Sequence, residues 1–210
     1  YGDFLRQEGF TEFQAPKLVG GDAEGGAEVF KLGYFKDRTA FLASSPQLYK
    51  QIATGAFERV FSFATAFRAE KSATTRHLSE YTSLDLEMGF INDHLDVMKV
   101  ETALMQYLVS YIKEHHQKEL AVLEVELPLT PAGDLFPHMK LREAQELIKK
   151  ETGNDKTSEP DLEPEDERWL CEYANKKLGS DFIFITHYPV SKRPFYTMED
   201  AADPGFTKSF

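Results

Sequence analysis

One cysteine, Cys171, stands in 210 residues, which excludes an internal disulfide and a zinc site built from several thiolates. That scarcity fits a reducing compartment, so the expected location is cytoplasmic. Cys171 falls on a predicted helix near Trp169 and Tyr173, where a packed thiol is expected rather than a nucleophile. Long apolar runs are missing too. None approaches the roughly 18 residues that a membrane-spanning helix needs, and the N-terminus carries no signal-peptide pattern. Positive charge is short: 24 Lys and Arg against 35 Asp and Glu leave a net charge of −11. A chain whose main contact is nucleic acid is more often basic, so any RNA contact is local or carried elsewhere. Hydrophobic content of 41% and charged content of 28% are ordinary for a globular protein, and the length suffices for one domain with a substantial core.

What is present is organised around Arg59 to Phe90, which reads as two strands joined by a polar loop. Phe61, Phe63 and Phe67 share one parity, and Ser62, Ala64, Ala66 and Arg68 the other. On the second strand Leu84, Leu86 and Met88 oppose Tyr81, Ser83, Asp85 and Glu87. Side chains of a strand alternate between its faces. One face is therefore bulky and apolar; the other sets small residues beside an arginine, an aromatic ring and two carboxylates. Such a face suggests a floor for a polar ligand. The loop adds Glu70, Lys71, Arg76 and His77, and a guanidinium donates in a fork to phosphate or carboxylate.

Tyr1 to Gly9 reads as the end of a helix capped by Gly9, and Phe10 to Leu18 as a strand that Pro16 interrupts. Gly20 to Gly26 is a glycine-rich acidic loop, and Val29 to Leu42 a hairpin turning near Lys36–Arg38. Ser45 is the expected cap of a helix whose first residue is Pro46; Gln47 and Lys50 share one of its faces. Further on, Leu95 to Ile112 has helical apolar spacing after start signals at Asp93 and His94, and His115 and His116 sit at its end. Leu120 to Gly133 reads as a loop, Lys140 to Lys150 as a short helix, and Thr152 to Glu167 as a solvent-facing linker. A helix from Glu165 to Leu178 stops at Gly179, before a strand at Phe182–Thr186 that looks buried on both faces.

The stretch FRAEKSATTRHLSEYTSLDLEM resembles motif 2 of class II aminoacyl-tRNA synthetases in the aspartyl, asparaginyl and lysyl subgroup. GFTEFQAPKL resembles motif 1, and RPFYTM near the end resembles archaeal-type aspartyl enzymes. The resemblance covers essentially the whole chain. It implies an α+β catalytic domain, an antiparallel sheet flanked by helices, that uses ATP and Mg2+ and dimerises through the motif 1 region. It implies that Arg68 is the catalytic residue, holding the α-phosphate and the amino-acid carboxylate. Glu70 and the backbone near Leu78 would meet adenine, Arg76 and His77 the outer phosphates, and Tyr81 the face of the base, with Ala69 also in the ATP site. For the amino acid, the resemblance implies Glu24 against the ammonium. The turn Gln47–Leu48–Tyr49–Lys50 would line the pocket, with Asp85 helping to choose the substrate.

By the same resemblance the Ser-Pro-Gln-Leu-Tyr-Lys run implies a small acidic or amide amino acid rather than lysine, and the pattern around Asp85 implies aspartate. The reading is an aspartate–tRNA ligase whose partners are aspartate, ATP and tRNA, one that charges tRNA-Asp alone or both tRNA-Asp and tRNA-Asn. An asparaginyl enzyme and a synthetase-like paralogue that makes asparagine through aspartyl-adenylate are the alternatives. The start at Tyr1 and the stop at Phe210 read as cuts in a longer chain. The anticodon-binding barrel, motif 3 and the magnesium ligands are expected beyond them, so no metal ligand is assigned here, and the piece alone is expected to be inactive or nearly so.

Overall fold

The computed structural model describes residues 1–21, 29–69 and 78–210, and the chain divides into two compact units, Tyr1–Phe90 and Ile91–Phe210. In the first, helix α1 (Gly2–Gln7) ends where Gly9 turns to φ +81, a conformation that costs glycine little. The following segment pairs only over β1 (Thr11–Glu12), parallel to β5 (Arg59–Phe67). The expected strand is thus shorter: its last bond to β5 is from the Phe13 N–H to the Phe61 carbonyl at 3.0 Å, and past Pro16, which has no N–H to donate, the chain resumes as β2 (Leu18–Val19). β3 (Lys31–Tyr34) and β4 (Arg38–Leu42) form the anticipated hairpin, and with β2 make an antiparallel sheet in the order β2-β4-β3. Lys36 and Asp37 take φ of 59° and 53° to close its turn.

Helix α2 (Gln47–Phe57) starts one residue later than the sequence predicts, with Pro46 in the cap position. Ser45 still performs the capping chemistry: its Oγ accepts the Gln47 N–H at 3.2 Å. β5 then pairs antiparallel with β6 (Glu80–Met88), from Arg59 opposite Met88 to Phe67 opposite Glu80. The burial of this ribbon differs from expectation. On the bulky face Phe61 is fully buried, but Phe63 is 38% and Leu84 54% exposed. Tyr1 packs edge-on against Phe61 and Phe63 at 5.9 and 5.5 Å, which covers only that end. The small residues Ser62, Ala64 and Ala66 are the buried ones, since short side chains are shadowed by longer neighbours.

In the second unit, α3 (His94–His115) is capped by Asp93, whose Oδ1 accepts the Leu95 N–H at 2.9 Å. The expected loop after it begins instead as α4 (Gln117–Leu123); Lys118 to Leu123 are good helix formers, and the first proline comes only at Pro128. β7 (His138–Lys140) leads into α5 (Leu141–Thr152), then α6 (Pro164–Tyr173) continues through a π-helical turn to Gly179 at φ +67. β8 (Phe184–Thr186) pairs with β7 in parallel. A two-stranded sheet cannot cover both faces, so only Thr186 of β8 is buried. Ala144, Ile148 and Leu170 form the core here, with Met139, Leu162, Trp169, Ile183 and Ile185 packed against them.

The linker is less solvated than its composition suggests: Leu162 joins that core, Gln145 donates to the Glu159 carbonyl at 2.8 Å, and Asp166 is buried. Cys171 is exposed rather than packed. Among the described residues no helix is long and apolar enough to cross a membrane.

Candidate functional site

The register of β5 against β6 orders one face of the ribbon like a ruler. Ala66 lies opposite Tyr81, Ala64 opposite Ser83, Ser62 opposite Asp85 and Val60 opposite Glu87. At the open end Arg68 continues the parity of the small residues, and its N–H donates to the Ser79 carbonyl at 3.0 Å. Its guanidinium lies 5.8 Å from the centre of the Tyr81 ring. A cation beside an aromatic face offers a charge clamp and a stacking platform together. Four residues along β6, roughly 13 Å at the strand's rise, the face ends in carboxylates.

Those carboxylates are met by Lys50 from α2. Its Nζ is 3.1 Å from Asp85 Oδ1 and 3.6 Å from Glu87 Oε2, and the three side chains are 12%, 14% and 27% exposed. One ammonium thus stands between two acids in a poorly solvated place. Burial, followed by the Asp85 charge, pushes the Glu87 carboxyl up, although Lys50 pulls it the other way. Burial and then Asp85 also raise the Tyr1 phenol. Asp85 Oδ2 and Ser62 Oγ, directly across the ribbon, are buried with no hydrogen-bond partner among the described residues. Polar atoms in that state are costly, and both can meet a ligand: the carboxylate accepts, and the hydroxyl donates or accepts.

Backbone bonds fix α2 against this face. The Ala43 N–H donates to the Lys17 carbonyl at 2.9 Å, and the Ala43 carbonyl accepts the Phe67 N–H at 3.0 Å. The start of α2 is thereby tied to the end of β5, beside Arg68. Gln47 is buried and one helical turn from Lys50, on the same side.

The predicted residues divide accordingly. Arg68 and Tyr81 come together at one end, and Lys50 and Asp85 at the other, with Gln47 on the connecting helix. Leu48 and Tyr49, with Val19, Gly21 and Ile52, line an apolar cavity of about 320 Å³ whose lining does not include Lys50. Ala69 follows Arg68, and Leu78 is 63% exposed before β6. Glu24, Glu70, Arg76 and His77 lie outside the described residues. Sequence reasoning did not single out Glu87 or Ser62 as site residues. Both were signalled, Glu87 two residues past Asp85 on the same strand face and Ser62 by its place opposite Asp85. Among the described residues no group of three His, Cys, Asp or Glu side chains could hold a metal ion.

Comparison with known proteins gives this geometry a family. The chain is 45% identical over 201 residues to the aspartate–tRNA(Asp/Asn) ligase of Deinococcus radiodurans, covering 96% of this chain and 45% of that one. The ligase of the same description from Aeropyrum pernix is 44% identical, with 100% and 47% covered. Among solved structures, asparaginyl-tRNA synthetase from Pyrococcus horikoshii, complexed with asparaginyl-adenylate, superposes with a TM-score of 0.85 at 36% identity, covering 99% of this chain and 46% of that one. The chain therefore spans about half the length of the relatives it matches. With residues 2–210 matching the family described as tRNA synthetases class II (D, K and N), the chain belongs to the class II aminoacyl-tRNA synthetases.

Proposed function

We propose that this chain is part of the catalytic domain of an aspartate–tRNA ligase. The observation that carries the reading is Lys50, held between Asp85 and Glu87 on the strand face that ends in Arg68 and Tyr81. A site with a stacking ring and a forked cation at one end, and an ammonium at the other, matches the two halves of an aminoacyl-adenylate. Adenine stacks on Tyr81, Arg68 grips the α-phosphate, and the substrate's side-chain carboxylate reaches Lys50. Gln47 bonds its polar head. Ala69 and Leu78 supply backbone groups beside the base. Glu24 takes the ammonium, Glu70 the adenine edge, and Arg76 and His77 the outer phosphates.

The reaction is in-line displacement. A carboxylate oxygen of aspartate bonds to the α-phosphorus and the bond to pyrophosphate breaks; a tRNA hydroxyl then takes the aspartyl group, and AMP leaves. Arg68 aligns the reactants and offsets the charge gathering on the phosphoryl oxygens. Mg2+, when bound with ATP, would neutralise phosphate charge. The phosphates fit the Arg68 end, and no described cluster supplies the ion's protein ligands. A second copy of the chain is the proposed partner through the motif 1 region. The partly exposed Phe63 and Leu84 favour a protein neighbour on the ribbon's other face.

The test is pyrophosphate exchange by the full-length protein. Aspartate supports exchange and asparagine does not, and charging of tRNA follows. Exchange with asparagine alone would assign the chain to the asparaginyl branch, to which the superposed Pyrococcus horikoshii structure belongs. Exchange with aspartate but no charging would indicate an asparagine-making paralogue.

A further inference from the structure

We propose that the second unit holds a binding site for a linear alkyl diamine, in the cavity between α5 and α6: one ammonium on Asp166, the methylenes along Trp169 and Ile148, and the other ammonium on Glu165. The site lies wholly within that unit and does not rest on the aspartate reading.

Ile148 and Thr152 from the end of α5, and Glu165, Asp166 and Trp169 from the start of α6, line a cavity of about 360 Å³, a size common among small-ligand sites. Charge around it is unbalanced. Two ammoniums are near, and each is already taken: Lys149 Nζ lies 2.6 Å from Asp155 Oδ2, and Lys156 Nζ 2.6 Å from Glu163 Oε2. The Lys149 bond, followed by those from Thr157, holds the Asp155 carboxyl down to about 2, and the Glu163 bond raises the Lys156 ammonium. Asp166 and Glu165 have no such cation among the described residues. Asp166 matters most, because it is 6% exposed. Its Oδ2 accepts the Glu163 N–H at 3.0 Å, which serves the helix cap; its Oδ1 takes no hydrogen bond among the described residues. The cap thus accounts for one oxygen and leaves the other in a place where an unpartnered carboxylate is costly. An ammonium in the cavity meets it.

The rest of the lining selects an organic cation. Trp169 stacks on Tyr173 at 5.5 Å and packs against the core of Ala144, Ile148 and Leu170. Its ring is therefore a fixed wall, and an indole attracts a cation. With Ile148 it also covers methylenes, which a bare ion lacks. The donors do not suit a metal: among the described residues no three His, Cys, Asp or Glu side chains converge to hold one. Glu165 lines the cavity and is exposed, so it gives a second ammonium its counter-charge. Two ammoniums on one short chain therefore fit better than one.

The experiment is calorimetric titration of the full-length protein with 1,4-diaminobutane, 1-aminobutane and 1,4-butanediol at fixed ionic strength. It compares wild type, Asp166→Asn and Glu165→Gln, with a melting curve for each. Wild type should bind the diamine at one saturable site, the monoamine about two- to fivefold more weakly, and the diol not at all. Asp166→Asn keeps an oxygen for the cap and should weaken the diamine about thirtyfold or more, as for loss of a buried charge partner. Glu165→Gln should bring diamine and monoamine level. If Asp166→Asn melts early, the wild-type amine series and Glu165→Gln decide. No saturable site in wild type, equal binding of the diol, or a preference for the diamine that survives Glu165→Gln overturns the site. So does unchanged diamine binding in a folded Asp166→Asn. Aspartate-dependent pyrophosphate exchange should be the same in all three proteins, so a failure here leaves the aspartate reading untouched.

Discussion

The two ends of the β5–β6 face use positive charge in different ways. At one end Arg68 sits beside a ring, a planar, delocalised cation beside a flat surface. At the other Lys50 is a compact ammonium flanked by two acids. A guanidinium keeps its charge whatever surrounds it and matches phosphate in a fork. An ammonium between carboxylates can be shared, and shifted from one to another. The first end suits a fixed reacting group, and the second a choice among side chains.

The contrast breaks most severely at Arg68. Arg68→Ala is expected to slow exchange by about 10²–10³-fold, the usual loss on removing a group that stabilises transition-state charge. Arg68→Lys should recover little, because the charge returns without the fork. Next comes Lys50→Met, which should raise the KM for aspartate by about two orders of magnitude, as for loss of a desolvated charge partner, with the KM for ATP unmoved. If both variants affected both substrates equally, the division of labour along the face would be wrong.

Smaller effects sharpen the same comparison. Tyr81→Ala should weaken ATP binding about tenfold, measured as KM in exchange, whereas Tyr81→Phe keeps the ring and should stay near wild type. Leu48 lines the apolar cavity, and Leu48→Ala should cost about 1 kcal/mol in a denaturant titration, with an unchanged KM for aspartate. The second unit carries a pH effect of its own. Burial, then the neighbouring His187, lowers the His94 pKa from the ordinary 6.5, with Lys208 adding and Asp93 and Asp200 opposing. The folded state therefore binds fewer protons than the unfolded one. Stability from this site is present above 6.5 and lost as pH falls through the lowered folded value. Melting curves of His94→Phe should lose that part of the acid sensitivity.

Much of the ribbon is legible in the residues alone. Strict alternation places Arg68, Tyr81, Asp85 and the small floor on one side, and the register sets Tyr81 and Asp85 against that floor. The contact between Lys50 and Asp85 is in no local pattern: the two are 35 positions apart, and only the family resemblance put both in one pocket. Alternation places Glu87 on that face too, but not its tie to Lys50, because a strand-face carboxylate looks the same wet or dry until a cation from another element reaches it. Burial likewise resists sequence reasoning. Phe63 and Leu84 are apolar yet partly exposed, since hydrophobicity says what a residue favours and not which neighbour is there to cover it. The helix after His116 is masked in the sequence by the prolines that follow, although a run of adequate helix formers precedes them.

Ala43 has a further consequence, for how this chain can change over time. Its links to Lys17 and Phe67 use only backbone atoms, so they read the spacing of the chain and are nearly blind to the identity of the side chains. From that anchor, the residues up to Lys50 measure out an angle as well as a distance. One inserted residue inside α2 before Lys50 would turn its side chain by about 100° and advance it about 1.5 Å, away from Asp85. Outside Ser45, Gln47 and Lys50, the segment can therefore accept substitutions, but almost no insertion or deletion. Descendants of this sequence should agree there in length, and keep those three letters while the others drift.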